Sequence, residues 1–227
     1  SQYVNQTTEG GQKGNHFTSG TENLTIGEQI IDGTTNLTYA LGIDIYPTDT
    51  VNLPKNFKFG KVTIKDCTTS GIQITKIQDL TIDELRIENY DAYSNNIVDC
   101  EDVRIGKIYI NGLTNVTTNL FGFYANNVTN LTIDEIVSEY NKHIGIYILN
   151  CINPTINKIT ANNNGNKGVY MYNCINAYAG IIFSHDNGAE GVHFESPVTG
   201  KLIMSYNNTS ANGVYFDTVA NGCHDCK

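Results

Sequence analysis

The sequence has no tryptophan and little charge: only 16% of its 227 residues are Asp, Glu, Lys or Arg. Asn and Thr stand where an ordinary globular protein places Lys and Glu, which suits a β-rich surface carrying ladders of amides. Basic residues are scarce as well. The 14 Lys and Arg are dispersed along a chain of net charge -9, which argues against DNA or RNA as a partner, because nucleic-acid affinity rests on neutralising phosphates. No run of 18 apolar residues occurs, so no membrane-spanning helix is expected. An initiating Met is missing too, and Ser1 suggests a processed chain or a fragment of something longer.

What the sequence does have is a repeat. Asn141-Lys-His-Ile-Gly145-Ile-Tyr-Ile returns as Asn164-Gly-Asn-Lys-Gly168-Val-Tyr-Met, as Asn187-Gly-Ala-Glu-Gly191-Val-His-Phe and, one residue longer, as Asn208 to Phe216 around Gly213. The glycines fall 23, 23 and 22 residues apart, the mark of a solenoid whose turns bury their apolar edges by stacking. Extended backwards, the period places strand starts at Gly42, Gly71, Ser94 and Gly122, with insertions expected around Pro47 to Asn56 and Asn111 to Leu120. Each repeat carries three alternating runs, such as Gly71-Ile-Gln-Ile, Leu80-Thr-Ile82 and Leu85-Arg-Ile87, so three parallel sheets are expected. A leucine-rich repeat shares the period and part of the spacing but needs a helical segment that no repeat supplies. The expected organisation is an irregular lead-in or cap over residues 1–22, one solenoid over 23–220, and a tail over 221–227.

In a parallel stack, equivalent residues lie one strand spacing apart, about 4.8 Å, so a repeated residue type becomes a ladder. The inward rows run Ile43, Ile72, Asn95, Phe123, Ile146, Val169, Val192, Val214 and Ile45, Ile74, Ile97, Ala125, Ile148, Met171, Phe194, Phe216. Asn95 is the polar exception and needs a hydrogen-bond partner. Asn141, Asn164 and Asn187 form one turn ladder, and Asp99, Asn127, Asn150, Asn173 and Ser196 a second. Both are read as structural, Asn being tolerant of the left-handed conformation. Ser138, Ala161, Ser184 and Ser205 are expected only to keep a turn narrow. Cys100, Cys151 and Cys174 fall at one inward position and are expected to stack, so the six cysteines do not define a disulfide scaffold.

The Asn-x-x-x-Gly-[Ile/Val]-x-[Ile/Met/Phe] units and the coil of about 23 residues resemble the right-handed parallel β-helix of the pectate-lyase-like superfamily, which includes polysaccharide lyases and hydrolases, alginate epimerases and phage tailspikes. The resemblance covers about Asn23 to Val219. It implies an all-β, right-handed, single-stranded parallel β-helix, and it implies little about activity, since one fold hosts many functions. The family's calcium-binding Asp sets and paired Lys and Arg find no match here.

The outward row of the first sheet carries the candidate site. It reads Asp44, Gln73, Asn96, Tyr124, Tyr147, Tyr170, His193, Tyr215, and two residues further along each strand come Tyr46, Thr75, Val98, Asn126, Leu149, Tyr172, Glu195, Asp217. Tyr124, Tyr147, Tyr170 and Tyr172 form an aromatic stripe that serves either cross-strand stacking or the binding of sugar rings or a partner surface. His193, Glu195, Asp217 and Tyr215 are the candidate catalytic residues. Glu195 and Asp217, about one strand spacing apart, approach the separation of a retaining glycosidase pair. Alternatively, His193 with Tyr170 or Tyr215 supplies base and acid for a uronate lyase or epimerase, with Lys142 and Lys167 the nearby cations. Solvated surface is the bland alternative to either, and His185-Asp186 is a weaker candidate still. Cys223-His-Asp-Cys226 lacks the second half of a zinc site and reads as a terminal disulfide or free thiols, so no metal or cofactor is called for. Asn-x-Ser/Thr triplets, at Asn127 and Asn130 among others, matter only in a glycosylating secretory route.

The expectation is therefore an extracellular, cell-surface or virion β-helix that recognises, and in one form cleaves, a polysaccharide on its first sheet. A homo-oligomer is expected, a trimer being one form. The alternative is a structural or adhesive protein whose tyrosine stripe is a subunit interface.

Overall fold

In a computed structural model, residues 15–17, 19–32, 41–47, 52–90, 94–112, 121–210, 213–216 and 223–224 are described. All their regular structure is strand. In chain order these are β1 (Asn15–Phe17), β2 (Thr25–Asp32), β3 (Ile43–Ile45), β4 (Lys55–Lys65), β5 (Ile72–Thr75), β6 (Gln78–Glu88), β7 (Asn95–Val98), β8 (Glu101–Asn111) and β9 (Phe121–Asn126). They continue as β10 (Thr129–Glu139), β11 (Ile144–Leu149), β12 (Thr155–Asn162), β13 (Val169–Tyr172), β14 (Ala177–His185), β15 (Val192–Glu195), β16 (Val198–Tyr206), β17 (Val214–Phe216) and β18 (Cys223–His224). Odd-numbered strands pair in one sheet and even-numbered strands in another, each nine strands long. Every pairing is parallel, and Ile146 lies beside Val169, one period of 23 residues on. The chain is a parallel β-solenoid.

The three apolar runs per coil give three faces but only two hydrogen-bonded sheets. Leu80-Thr-Ile82 and Leu85-Arg-Ile87 lie in one strand, β6, whose buried residues are Leu80, Ile82, Leu85 and Ile87. The in–out alternation slips by one at Asp83 and Glu84, and Asp83 is skipped in the register between Ile82 and Glu84. Backbone pairing resumes beyond this corner, so the second and third faces share a sheet. Side-chain period marks faces, not the continuity of hydrogen bonds.

Both inward rows are buried as the pattern requires, apart from Val214 and Phe216, which are half-buried at the last coil. Asn95 is wholly enclosed and fully paired. Its Oδ1 accepts from the Gly71 and Ile72 amides at 2.8 and 3.2 Å, and its Nδ2 donates to the Gly122 carbonyl at 2.9 Å. At the other end of the column Phe17, Phe57 and Phe59 pack edge to face, with centroids 5.3 to 6.3 Å apart.

One turn ladder is a buried, continuous hydrogen-bond chain. Asn141 Nδ2 donates to Asn164 Oδ1 at 2.8 Å, Asn164 Nδ2 to Asn187 Oδ1 at 3.0 Å, and Asn187 Nδ2 to Asn208 Oδ1 at 2.9 Å. Each carbonyl also accepts the backbone amide of the preceding rung. The serines do more than narrow the turn: Ser138, Ser184 and Ser205 accept from the ladder amides and donate to the carbonyls of Gly145, Gly191 and Gly213. The left-handed conformation expected of Asn belongs to the other ladder. Asp99, Asn127, Asn150 and Asn173 have φ between 51° and 55°, whereas Asn141, Asn164 and Asn187 do not enter that region. This second ladder is exposed and runs from Asn127 to Asp99 and from Asn173 to Asn150, with Asn150 donating to Asn126. Ser196 joins it by accepting the Cys174 amide at 2.7 Å.

The outer face of the second sheet is bound by charge. Lys61 reaches Glu84 at 3.6 Å, and Glu135 is shared by Lys107 at 3.9 Å and Lys158 at 2.6 Å. Exposed pairs of this kind contribute little each, on the order of 0.2 to 1 kcal/mol. Beyond Lys158 the column turns apolar at Ile181 and Leu202, and Leu202, Met204 and Tyr206 are exposed. The residues on which the lead-in, both insertions and most of the tail were expected lie largely outside the described residues.

The buried ladder predicts a sharp contrast between two Asn-to-Ala substitutions. Asn164→Ala removes the acceptor of the Asn141 backbone amide and the side-chain donor to the Ser138 carbonyl and Asn187 Oδ1 and costs about 3 kcal/mol, whereas Asn157→Ala on the exposed surface changes stability by less than about 0.5 kcal/mol. Urea unfolding followed by circular dichroism checks both, and equal midpoints would contradict the role given to the ladder.

Candidate functional site

The outward positions of the odd-numbered strands form a single column because the coils stack without a register shift. Tyr124 lies beside Tyr147, Tyr147 beside Tyr170, Tyr170 beside His193 and His193 beside Tyr215. Ring centroids are 5.4, 4.8, 4.8 and 4.6 Å apart in that order. Tyr147 and Tyr170 are nearly parallel, at 11°, so they cover each other's faces. Lys167 Nζ lies 4.3 Å from the Tyr170 ring centre, a cation–π contact. The column therefore offers ring edges and phenol tips to its surroundings rather than open aromatic faces. Tyr172 is the more exposed ring, 6.2 Å from Tyr170.

At the far end of the stripe three side chains converge. The Tyr170 hydroxyl donates to Glu195 Oε1 at 2.6 Å, a diagonal contact from one rung to the next. His193 Nε2 lies 2.9 Å from the same oxygen, but its N–H does not point along that line, and neither ring nitrogen has an aligned hydrogen-bond partner. His193 is only 7% exposed, held between the rings of Tyr170 and Tyr215. Burial lowers its pKa, and the Lys167 charge lowers it further against an opposing pull from Glu195 and Glu190. Burial also raises the Tyr170 pKa, helped by the hydrogen bond to Glu195. At neutral pH the corner holds a neutral imidazole and a protonated phenol against the Glu195 side chain. Tyr170 is thus placed as a proton donor and not as a phenolate base.

Of the eight residues predicted for the site, seven fall on this column or beside it, and Asp217 lies outside the described residues. The pattern missed two neighbours. Phe121 packs on Tyr124 and Tyr147 at 5.5 and 5.2 Å, and His143 lies 5.6 Å from Phe121. His143 Nε2 accepts from Asn166 Nδ2 at 3.1 Å, which assigns its proton to Nδ1, a buried nitrogen with no hydrogen-bond partner. Its pKa is lowered by burial and by Lys167. Lys167 is therefore the cation that faces both imidazoles. The pattern also missed His16, whose Nδ1 lies 2.7 Å from Oδ2 of the buried Asp44 at the opposite end of the column. Position in the register was the available signal, since Asn15 pairs with Ile43. His185 pairs with Asp186 at 2.6 Å and stacks on Tyr206, away from the column.

Among the described residues no group of three or more His, Cys, Asp or Glu side chains is arranged to hold a metal ion, and no helix is long and apolar enough to cross a membrane. No family model matches the chain, and comparison with curated proteins and with solved structures finds no match. The fold and the geometry of the column are what any functional reading rests on.

Both enclosed imidazoles are held below the ordinary histidine pKa of about 6.5, so folding favours their neutral forms. The stability this represents is complete above that value and is lost as pH falls through it toward the lowered folded pKa. The urea midpoint should therefore drop between pH 7 and pH 5.5. His143→Gln with His193→Gln should flatten that segment, leaving the carboxylate-driven loss at lower pH. An unchanged slope in the double variant would contradict the burial assigned to the rings.

Proposed function

We propose that the protein recognises a polysaccharide along the outer face of the odd-numbered sheet, as an extracellular or virion-exposed, tailspike-like element of the pectate-lyase-like kind. The observation that carries this reading is the column from Tyr124 to Tyr215, with phenol tips one rung apart and Lys167 beside its centre. An extended glycan lying along the column meets a hydrogen-bonding tip at each rung, and an acidic sugar finds Lys167 opposite its carboxylate. Recognition by edges and hydroxyls favours hydrogen bonds over stacking on a ring face.

Cleavage belongs to the same reading. Glu195, with Tyr170 and His193 against it, is the reactive corner, and Asp217 is the proposed second carboxylate of a hydrolase pair. In the lyase form, neutral His193 takes the proton next to the uronate carboxylate and Lys167 faces the developing charge.

The competing reading is a structural surface protein whose tyrosine column is a contact between copies. The location of exposed apolar surface weighs against it: Leu202 and Met204 are on the even-numbered sheet, while the tyrosine column ends in polar tips. An association driven by apolar burial would cover the former before the latter.

Affinity electrophoresis in gels containing capsular polysaccharide, pectate or alginate tests recognition. One of these glycans should retard the protein, and Tyr147→Ala or Lys167→Ala should each weaken binding about tenfold. Absence of retardation by every glycan, or burial of Tyr147, Tyr170 and Tyr215 between copies of the chain, would overturn the proposal. For chemistry, new reducing ends or unsaturated uronates should be lost on Glu195→Gln. Turnover that survives Glu195→Gln together with Asp217→Asn removes the site from this corner.

A further inference from the structure

Inside the same sheet, the residue that follows each left-handed turn points into the core. This inward position reads Ile77, Cys100, Val128, Cys151, Cys174 along the column, and an unbroken backbone ladder keeps it in register. Glu101 N donates to Ile77 O at 3.0 Å, Thr129 N to Cys100 O at 2.9 Å, Ile152 N to Val128 O at 3.0 Å and Ile175 N to Cys151 O at 2.9 Å. Cys100 is thereby flanked by Ile77 and Val128, whereas Cys151 and Cys174 are immediate neighbours. Both are free thiols, 0% and 3% exposed.

We infer that Cys151 and Cys174 are a latent disulfide pair, positioned by the coil register to form a covalent staple between two adjacent coils. Their backbones are one strand spacing apart, about 4.8 Å, inside the 4.4 to 6.8 Å that disulfides span between Cα atoms. Their side chains are already drawn along the column. Cys174 Sγ lies 3.7 Å from the carbonyl of Ile148, a residue of the coil that carries Cys151, and Cys151 Sγ leans in the same sense, 3.9 Å from the carbonyl of Ala125. Parallel Cβ vectors start about 1 Å further apart than a relaxed disulfide holds them, so the bridge closes with some strain and is readily reduced.

Adjacency in the register separates this pair from the other buried cysteines. Burial pushes the Cys67 thiol to about 12 and the Cys100 thiol to about 11, which leaves both protonated and inert. Cys174 is shifted the other way, because the hydrogen bond from Cys151 stabilises its thiolate, with help from Ser196. Exchange begins at one sulfur of the pair, here Cys174. Its thiolate displaces one thiolate from a small-molecule disulfide, forming a mixed disulfide. The Cys151 thiolate then attacks the Cys174 sulfur and releases the second. Two protein thiols are oxidised, one external disulfide is reduced to two thiols, and the two protein protons leave with them. Enclosure makes the step wait on local opening of the coil, so mild denaturant should accelerate it.

The test uses the full chain with diamide, an azo compound that takes up two electrons and two protons from a pair of thiols. Peptide mapping after oxidation should recover a fragment joining Cys151 to Cys174, with a mass lower by two hydrogens and reversal by dithiothreitol. The thermal midpoint of the oxidised protein should rise by about 5 °C. Cys151→Val, which places at this position the residue that Val128 already supplies one coil earlier, should abolish the joined fragment, and Cys100→Ala should leave it intact. Both thiols remaining free after oxidation in sub-denaturing urea would overturn the inference, as would a bridge confined to Cys223 and Cys226 or one that survives Cys151→Val.

Discussion

The hydrogen-bond chain through Asn141, Asn164, Asn187 and Asn208 is the constraint on which the rest of the column depends. Each amide donates to the next coil and each carbonyl accepts from the preceding one, so a coil can be neither added nor shifted without breaking two bonds inside the protein. Unpaired polar groups in such a place cost far more than the bonds gain when made, which is how a modest interaction fixes a register. The glycines follow from the same crowding. A Cβ on Gly168 would lie 2.2 Å from Ser184 Oγ and 2.5 Å from the Gly191 carbonyl, closer than any side chain can sit. Asn and Gly recur together because the ladder leaves room for nothing larger beside it.

Once register is fixed, identity of position becomes identity of environment, and this is why so much was legible in the sequence. Inward rows, the stacked thiols, the partner needed by Asn95 and the outward tyrosine column all follow from counting residues around a coil of constant length. What counting does not carry is how a side chain leans from its rung. The bond from Tyr170 to Glu195 joins positions two residues apart across neighbouring coils, and the mutual coverage of Tyr147 and Tyr170 depends on side-chain torsions. The merging of two apolar runs into β6 was hidden for a related reason: burial alternates along a strand and breaks at a bend, while hydrogen bonds can continue through it. Phe121 and His143 escaped because they precede the repeated Ile-x-Ile core of their strands, where the repeats no longer agree.

The same stacking that makes the tyrosine column also limits what it can do. A ring whose face is covered by its neighbour cannot offer that face to a sugar, so the regularity that stabilises the stripe converts an aromatic platform into a comb of hydroxyls. His193 interrupts the comb where a fourth successive tyrosine would continue it. An imidazole there is smaller, stays neutral under the influence of Lys167, and leaves Glu195 free to take the proton of Tyr170 as a hydrogen bond. The departure from the repeat and the concentration of proton-bearing groups coincide at this one coil.

Among the described residues that coil is also the last whose inward pair is fully buried. Val192 and Phe194 are completely buried, whereas Val214 and Phe216, one rung on, are only half-buried. Among the described residues Asn208 is the last rung of the amide ladder, and Tyr170 is paired with Tyr147 and His193 while Tyr215 is paired with His193. Glu195, Tyr170 and His193 thus sit where fully buried rungs give way to a half-buried one, and the ladder through Asn164 and Asn187 holds that corner in register.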